Sequence, residues 1–546
     1  MKAPDAIRTA LIQAASRLGA PDVDVALERP RDPSHGDLAT NLALTLAKTL
    51  GQKPRAIAER LVANLDLPAT VVRKTEIAGP GFINFFLGEA QVVGVLPSIL
   101  AAGAAYGSSD VGQKRKINVE FVSANPTGPL HVGHGRGAAL GDGISALLEL
   151  TGWAVTREFY VNDAGTQIDK LARSLWARVQ QAVGRGAAIP EGGYHGEYLR
   201  ELAEQILKQE GKRFADLPES DGVRRARELG VQAERAEQDR DLAEFGVRFD
   251  VVTTESSIYQ RHLIDATLTE LAQQGHTFTS EGALWLRTTG LGDDKDRVLK
   301  KSDGTYTYLV PDIAYHRDKH ERGFVRAIDV WGADHHGYIP RMRAALQALS
   351  YPDDFFHVEI VQLVRVMRAG EEVRFSKRSG DFVSLRDLFE ETGVDAARYF
   401  FLMKRGDSQF VFDVDLAKSQ TDENPVFYVQ MAHARMSGIF RVAARDPGGV
   451  RAEGVDLAVL TQPEELALIK ELAEFPDVVR RAAAAYEPHR ITGYLEGLAR
   501  IAHAWYHKYR VLGEPEEAAR LVLARAVQQV LANGLTLLGI RAPERM

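Results

Sequence analysis

The segment Lys116–Gly137 restricts the folds open to this chain more than any other. Ile117-Asn118-Val119-Glu120-Phe121-Val122 reads as a strand ending near Val122. Two proline turns follow, Asn125-Pro126 and Gly128-Pro129, and a helix starts near His131-Val132-Gly133-His134. Strand, loop and helix in that order form the corner at which open α/β sheets bind nucleotides, at the carboxyl ends of their strands. The N–H groups of a helix start favour phosphate. His131 and His134 sit three residues apart on the first turn and face the same way, and Gly133 leaves room for a flat ring against the backbone. Attack on an α-phosphate builds negative charge on its equatorial oxygens, and fixed donors there lower the barrier without reacting. A metal pair is one alternative, but the motif holds no carboxylate or third histidine to complete a site. Chance is the other: 15 histidines and 48 glycines in 546 residues give roughly 0.04 His-x-Gly-His matches per chain of this composition.

A second basic loop is expected to hold the nucleotide from the far side. Arg374-Phe375-Ser376-Lys377-Arg378-Ser379-Gly380 follows the strand-like Val358-Glu359-Ile360-Val361. Lys377 and Arg374 offer cations for β- and γ-phosphates, and Gly380 lets the loop bend. The alternative is a charged surface turn. A net charge of −7 argues against a basic coat for nucleic acid, so RNA contact is expected in local patches. The absence of cysteine excludes disulfides and thiolate metal sites. With neither an apolar leader nor an apolar run of membrane-spanning length, a cytoplasmic enzyme without a membrane partner is expected.

At 546 residues the chain exceeds a single core, and its texture changes twice. Residues 1–110 read as an α+β unit, with helices over Ala6–Leu18 and Leu38–Leu50 and a strand over Gly81–Leu87. Over 111–395, short β-branched runs alternate with helical patterns, the mark of a parallel sheet. Within it the charged stretch near 169–244 reads as a helical insertion whose charges line solvated faces. Residues 396–546 read as nearly continuous helix punctuated by Pro425, Gly448-Gly449, Pro463 and Pro515, hence an all-α bundle. The fold class is multidomain α/β.

His131-Val132-Gly133-His134 resembles the HIGH signature of class I aminoacyl-tRNA synthetases, and Arg374-Phe375-Ser376-Lys377 their KMSKS loop, in the same order and at a fitting separation. Other stretches resemble arginyl-tRNA synthetases in particular and together span nearly the whole chain. They are Ser123-Ala124-Asn125-Pro126, Tyr160-Val161-Asn162-Asp163-Ala164-Gly165, Gly246-Val247-Arg248-Phe249-Asp250, and Glu423 to Gln430. Val394-Asp395-Ala396-Ala397-Arg398-Tyr399 is similar to the DALR segment of the family's anticodon-binding domain. The resemblance implies a Rossmann-like catalytic domain between an N-terminal tRNA-contacting domain and a helical anticodon-binding domain. It implies activation of arginine by ATP with Mg2+ and transfer to the 3′ end of tRNA, by a monomer without a tightly held metal. His131, His134 and Lys377 would be catalytic; Gly133, Arg374 and Asp334 would join them at ATP; Ser123 and Asn125 would hold substrate backbone groups. Phe82 and Asn84 match positions where the family reads a base of the tRNA D-loop: exposed they would serve that role, buried they would be ordinary strand residues. Arg374 departs from the family's first lysine, keeping the charge but not its shape, which puts the weight on Lys377. Gly128 stands where members with a degenerate loop carry a compensating lysine, consistent with Lys377 being in use.

Specificity falls on Tyr308-Leu309-Val310-Pro311-Asp312, where a strand is expected to give way to a helix at Pro311. A guanidinium needs a carboxylate with two acceptor oxygens and a further acceptor, which Asp312 and Tyr308 supply. The alternative is an aspartate at a helix start beside a core tyrosine. Gly332 to Gly337 lies on a strand-to-helix loop, and its Asp334, His335 and His336 face either the pocket or the scaffold. On a helix expected over Thr492–Leu512, Leu495, Leu498, Ala502, Trp505 and Leu512 form an apolar stripe. Arg500, His503, His507 and Arg510 follow on another face, suited to single-stranded bases or simply solvated. Three rivals remain in play. A class I synthetase for another amino acid would differ in the pocket, and a small-molecule nucleotidyltransferase would not need the helical C-terminal domain. A silent RNA-binding relative would not keep His131, His134 and Lys377.

Overall fold

The computed structural model describes residues 3–28, 30, 32–163, 165–373 and 382–546. At the N-terminus β1 (Leu38–Thr40), β2 (Val72–Ala78) and β3 (Phe82–Leu87) form an antiparallel sheet in the order β1-β3-β2. Helices Ala3–Arg17, Leu42–Leu50 and Pro54–Ala63 enclose a core of their own with it, built on Ile7, Leu11, Leu46, Ile57, Ile83 and Phe85. Residues 38–40, expected as the start of a helix, are a strand instead. Leu38, Ala39 and Thr40 pair with Phe85, Asn84 and Ile83, and tertiary pairing overrides their local helical pattern.

The middle of the chain is built on β4 (Lys116–Glu120), β5 (Ala154–Val161) and β6 (Val251–Thr254). A small antiparallel sheet of β7 (Thr277–Ser280), β8 (Ala283–Leu286) and β9 (Arg297–Lys300) follows, and then β10 (Arg326–Gly332) and β11 (Phe356–Val361). The central sheet runs β11-β10-β4-β5-β6 with every pairing parallel. The chain leaves β4 toward β5 and β6, then returns to β10 on the other flank of β4. That reversal puts the topological switch between β4 and β10, where the loops from their carboxyl ends part and leave a crevice. The helix Val132–Leu150 comes directly out of the β4 loop, and Gly141 lets it lie on the Phe121 side chain with no space for a Cβ.

Between β5 and β6 stand the helices Thr166–Ala182, Glu197–Glu210 and Glu219–Glu244. They close around Leu171, Leu175, Trp176, Leu199, Ile206 and Phe214, so the charged insertion has an apolar core inside its solvated faces.

The C-terminal portion begins with β12 (Val364–Arg368), β13 (Glu371–Val373) and β14 (Phe410–Asp413), in the order β13-β12-β14. β14 interrupts what reads as continuous helix. Phe410 and Phe412 are buried while Val411 and Asp413 are exposed, a period of two that marks a strand. Helices Val394–Leu402, Pro425–Val442, Pro463–Ala485, His489–Lys508 and Glu517–Leu537 then pack together. Residues 92–106 join this bundle: Tyr106 stacks on Phe475 at 6.2 Å and its hydroxyl donates to the Leu472 carbonyl at 3.0 Å. Leu495, Leu498, Ala502 and Trp505 form the buried stripe expected of them. Their helix stops at Lys508 and not near Leu512, because Tyr509 turns extended and donates to Glu464 at 2.6 Å.

Candidate active site

The site begins at the end of β4, where Val122 and Ser123 both take positive φ, 68° and 40°. A β-branched residue there is an outlier that surrounding contacts must hold. Ser123 provides them: its hydroxyl donates to Glu120 at 2.9 Å and accepts from the Tyr160 amide at 3.1 Å. Asn125 donates its side-chain amide to Gln167 at 2.6 Å. Both side chains expected at a substrate therefore also have internal partners.

The histidine motif caps its own helix. His131 is the N-cap of Val132–Leu150, and its Nδ1 accepts from the His134 amide at 3.1 Å. In return Nδ1 of His134 accepts from the His131 amide at 3.3 Å, a reciprocal capping box made by two imidazoles. The rings stack with centroids 3.6 Å apart and 16° between planes. Burial lowers the His131 pKa, and burial together with the adjacent His131 pushes His134 down to about 3. Both rings are thus neutral at physiological pH, and since each Nδ1 is an acceptor, each Nε2 carries the hydrogen. Two Nε2–H donors on a helix N-terminus are what an anionic phosphate requires. The space the sequence assigns to a ligand ring at Gly133 is taken by His131 itself, whose Cε1 would lie 2.9 Å from a Cβ there.

The residues that follow the second basic loop meet the histidine motif. His131 forms a β-bridge with Ser384, the Val132 amide bonds the Val383 carbonyl at 3.1 Å, and the Leu385 amide bonds that of Leu130 at 2.7 Å. Arg374 and Lys377 themselves lie outside the described residues. Asp334, on the turn Ala333–Tyr338 after β10, is exposed and lies 3.4 Å from His335.

At the end of β4 stands a buried acidic network that sequence reading missed. Lys319 is fully buried and bonds Glu120 at 2.6 Å and Asp329 at 2.9 Å. Burial opposes its charge, but Asp329, Glu120 and Glu158 outweigh that and raise its pKa. Burial likewise opposes the Asp329 charge, yet Lys319 and His316 bring it down to about 2. His316 lies 2.8 Å from both Asp329 Oδ2 and the Asp312 carbonyl. Burial lifts Asp312 to about 6, against the hydroxyl of Tyr338 that donates to it at 2.7 Å. Asp312 and Glu255 both bear on Tyr160 and Tyr259, whose pKa values burial and these carboxylates raise. The helix here starts at Leu309 with no strand before it, and Tyr308 at its N-cap is 76% exposed.

Of the residues expected at RNA, Phe82 is 40% exposed, but Asn84 is only 3% exposed and belongs to the strand interior. His503, at 5% exposed, is turned into the bundle. Arg435 donates to its Nδ1 at 2.6 Å, and its Nε2 bonds the Tyr428 carbonyl at 3.1 Å, so it is a packing residue. Arg500 and His507 stay exposed on the helix, and Arg510 lies beyond its end. Arg435, 3.2 Å from His507 and over the Tyr506 ring, joins that face from the helix Pro425–Val442.

Comparison with known proteins agrees along the whole chain. Residues 95–437 match the family model of the class I tRNA synthetase (R) catalytic domain, 4–87 that of the arginyl-tRNA synthetase N-terminal domain, and 429–546 that of the DALR anticodon-binding domain. The arginine–tRNA ligase of Geobacillus kaustophilus is 48% identical over 551 residues, covering 100% of this chain and 98% of the relative. That of Anoxybacillus flavithermus is 48% identical over 550 residues, with the same coverage. The solved arginyl-tRNA synthetase of Thermus thermophilus superposes with a TM-score of 0.75 at 26% identity, over 99% of this chain and 100% of that one. With the capped histidine pair at the sheet's switch point and three consecutive matches from end to end, the chain belongs to the arginyl-tRNA synthetase family of class I aminoacyl-tRNA synthetases.

Proposed function

We propose that the chain ligates arginine to tRNA in two steps. An arginine carboxylate oxygen attacks the α-phosphorus of ATP, the bond from that phosphorus to the β-phosphate bridge breaks, and pyrophosphate leaves. A ribose hydroxyl at the tRNA 3′ end then attacks the adenylate carbonyl and releases AMP. The observation that carries this reading is the stacked His131–His134 pair, two neutral Nε2–H donors fixed by their own helix. Those donors meet charge that grows on the α-phosphate in the transition state, without giving up a proton. Mg2+ enters with ATP as part of the substrate, held by phosphate oxygens and water. Arg374 and Lys377 take the β- and γ-phosphates, and Asp334 faces the nucleotide from the β10 side.

Asp312 pairs with the substrate guanidinium, with Tyr308 at the pocket mouth, while Ser123 and Asn125 set the loop facing the substrate's backbone groups. The tRNA lies across Phe82 at one end and Arg500, His507 and Arg435 at the other. In this division residues 1–110 contact tRNA, 111–395 catalyse and 396–546 read the anticodon, in a cytoplasmic monomer. A charging assay with bulk tRNA, ATP and each amino acid in turn tests the reading. Arginine alone forms an acid-precipitable ester with tRNA; charging of another amino acid in its place, or adenylate formation without transfer, would sink it.

A further inference from the structure

The loop between β4 and the histidine helix contains Pro126 and Pro129, which lack backbone donors. Its middle, residues 125–128, is held by the helical insertion, and each of the three insertion helices contributes one side chain. Gln167, on Thr166–Ala182, accepts from Asn125. Tyr198, on Glu197–Glu210, donates its hydroxyl to the Thr127 carbonyl at 2.7 Å. Gln238, on Glu219–Glu244, donates Nε2 to the carbonyls of both Asn125 and Gly128 at 3.0 Å. Gly128 fits beneath the Tyr198 ring, where a Cβ would come 3.1 Å from the hydroxyl. Gln238 is 1% exposed, so its two bonds lie in a low-dielectric interior where losing them leaves carbonyls unsatisfied.

One turn further along the same helix, buried Asp241 accepts from Arg386 Nε at 2.8 Å, and Glu244 pairs with that guanidinium at 3.0 Å. Arg386 sits at the start of the helix Leu385–Thr392, next to Ser384 and Leu385 that pair with the backbone of His131 and Leu130. The helix Glu219–Glu244 therefore grips the histidine segment from both sides: through Gln238 on the loop before it, and through Asp241 on the segment bridged to it.

We propose that Gln238 is a positioning residue for adenylate formation, and that the insertion is a brace that sets where the His131 and His134 donors point. This rests on the reading of that pair as the α-phosphate site. Misplacement of a reacting group by about 1 Å costs on the order of a hundredfold, so a loop freed at two carbonyls lowers turnover while Asp312, which none of these bonds touches, still binds arginine.

The test is arginine-dependent ATP–pyrophosphate exchange, with bound tRNA present, in Gln238→Met, His134→Ala and the double variant. Gln238→Met is expected to lower kcat about tenfold to a hundredfold, with the KM for arginine within about twofold and the helical circular dichroism unchanged. If Gln238 acts through the histidine pair, its loss adds nothing further in the His134→Ala background. A parental kcat in folded Gln238→Met, or losses that multiply in the double variant, would overturn the brace. If Gln238→Met does not fold, Tyr198→Phe decides: a fall in kcat of several-fold at constant arginine KM supports the brace, and an unchanged kcat refutes it. An unaltered rate in His134→Ala would instead refute the phosphate site itself.

Discussion

The histidine helix start and the acidic network around Asp312 both build on the end of β4, yet they are built in opposite ways. At the helix start, two side chains and two amides within four consecutive residues fix each other in a stacked pair. In the network, Asp312 depends on His316, Tyr338, Lys319, Glu120 and Asp329, which come from several elements and from up to 199 residues apart. Donors for a phosphate can be made locally because a helix N-terminus already supplies half the site. A buried carboxylate ready for a guanidinium cannot, since the framework around it has to be drawn from several elements. The first arrangement should fail at single local substitutions and, from a distance, respond only to residues that hold its loop, such as Gln238; the second should fail wherever a distant partner is lost.

The largest effect is expected where that framework is broken. Lys319→Met leaves Glu120 and Asp329 buried without their cation, and removing one partner of such a group costs about 3–5 kcal/mol. Chemical denaturation should report a loss of this size, whereas a loss under 1 kcal/mol would show that the network does not carry the pocket. Next comes His134→Ala, expected to slow pyrophosphate exchange by about 10²–10³ without altering the melting transition, as for removal of one transition-state donor.

A smaller effect follows from the pH response of the pocket. Asp312 ionises near pH 6, and only its carboxylate form pairs with a guanidinium. The kcat/KM for arginine should be level above that pH and fall about tenfold per unit below it. A profile without an inflection near 6 would mean that Asp312 does not meet the substrate.

The smallest effect concerns the brace. Burial and the neighbouring Glu237 raise Glu234, one turn before Gln238, to about 8. A folded pKa above the unfolded one means that the protonated acid's stability is complete below about pH 4.5 and is lost as pH rises through about 8. Glu234→Gln keeps the neutral form throughout, so its melting temperature should match the parent at pH 4.5 and exceed it by a few degrees at pH 8.5. Equal values at both would show Glu234 to be ionised in the fold.

The same division explains what could be read from sequence. The parallel sheet, the insertion and His131–His134 are carried by period, punctuation and short spacing, and they stand where those signals put them. Residues 38–40 and β14 were misread as helix because their strand partners lie far along the chain, although the Phe410–Phe412 alternation did signal a strand. His503 seemed to share a face with Arg500 and His507, but a helical wheel does not say which face a neighbouring helix covers, and Arg435 arrives from 68 residues earlier. Nothing local in the sequence marks Lys319, in the last turn of its helix, as the buried partner of Glu120. Gln238 and Tyr198 were likewise submerged in a stretch whose charges suggested only solvent.

The most direct test measures exchange across arginine and ATP concentrations in Asp312→Asn, alongside His134→Ala. The account predicts that Asp312→Asn lowers kcat/KM for arginine about tenfold to a hundredfold at an unchanged KM for ATP, using about 1.4 kcal/mol per decade for a lost charged hydrogen bond. His134→Ala should instead lower kcat at an unchanged KM for arginine. If Asp312→Asn loses arginine and ATP together with a lowered melting temperature, Asp312 is a structural residue and the guanidinium is read elsewhere.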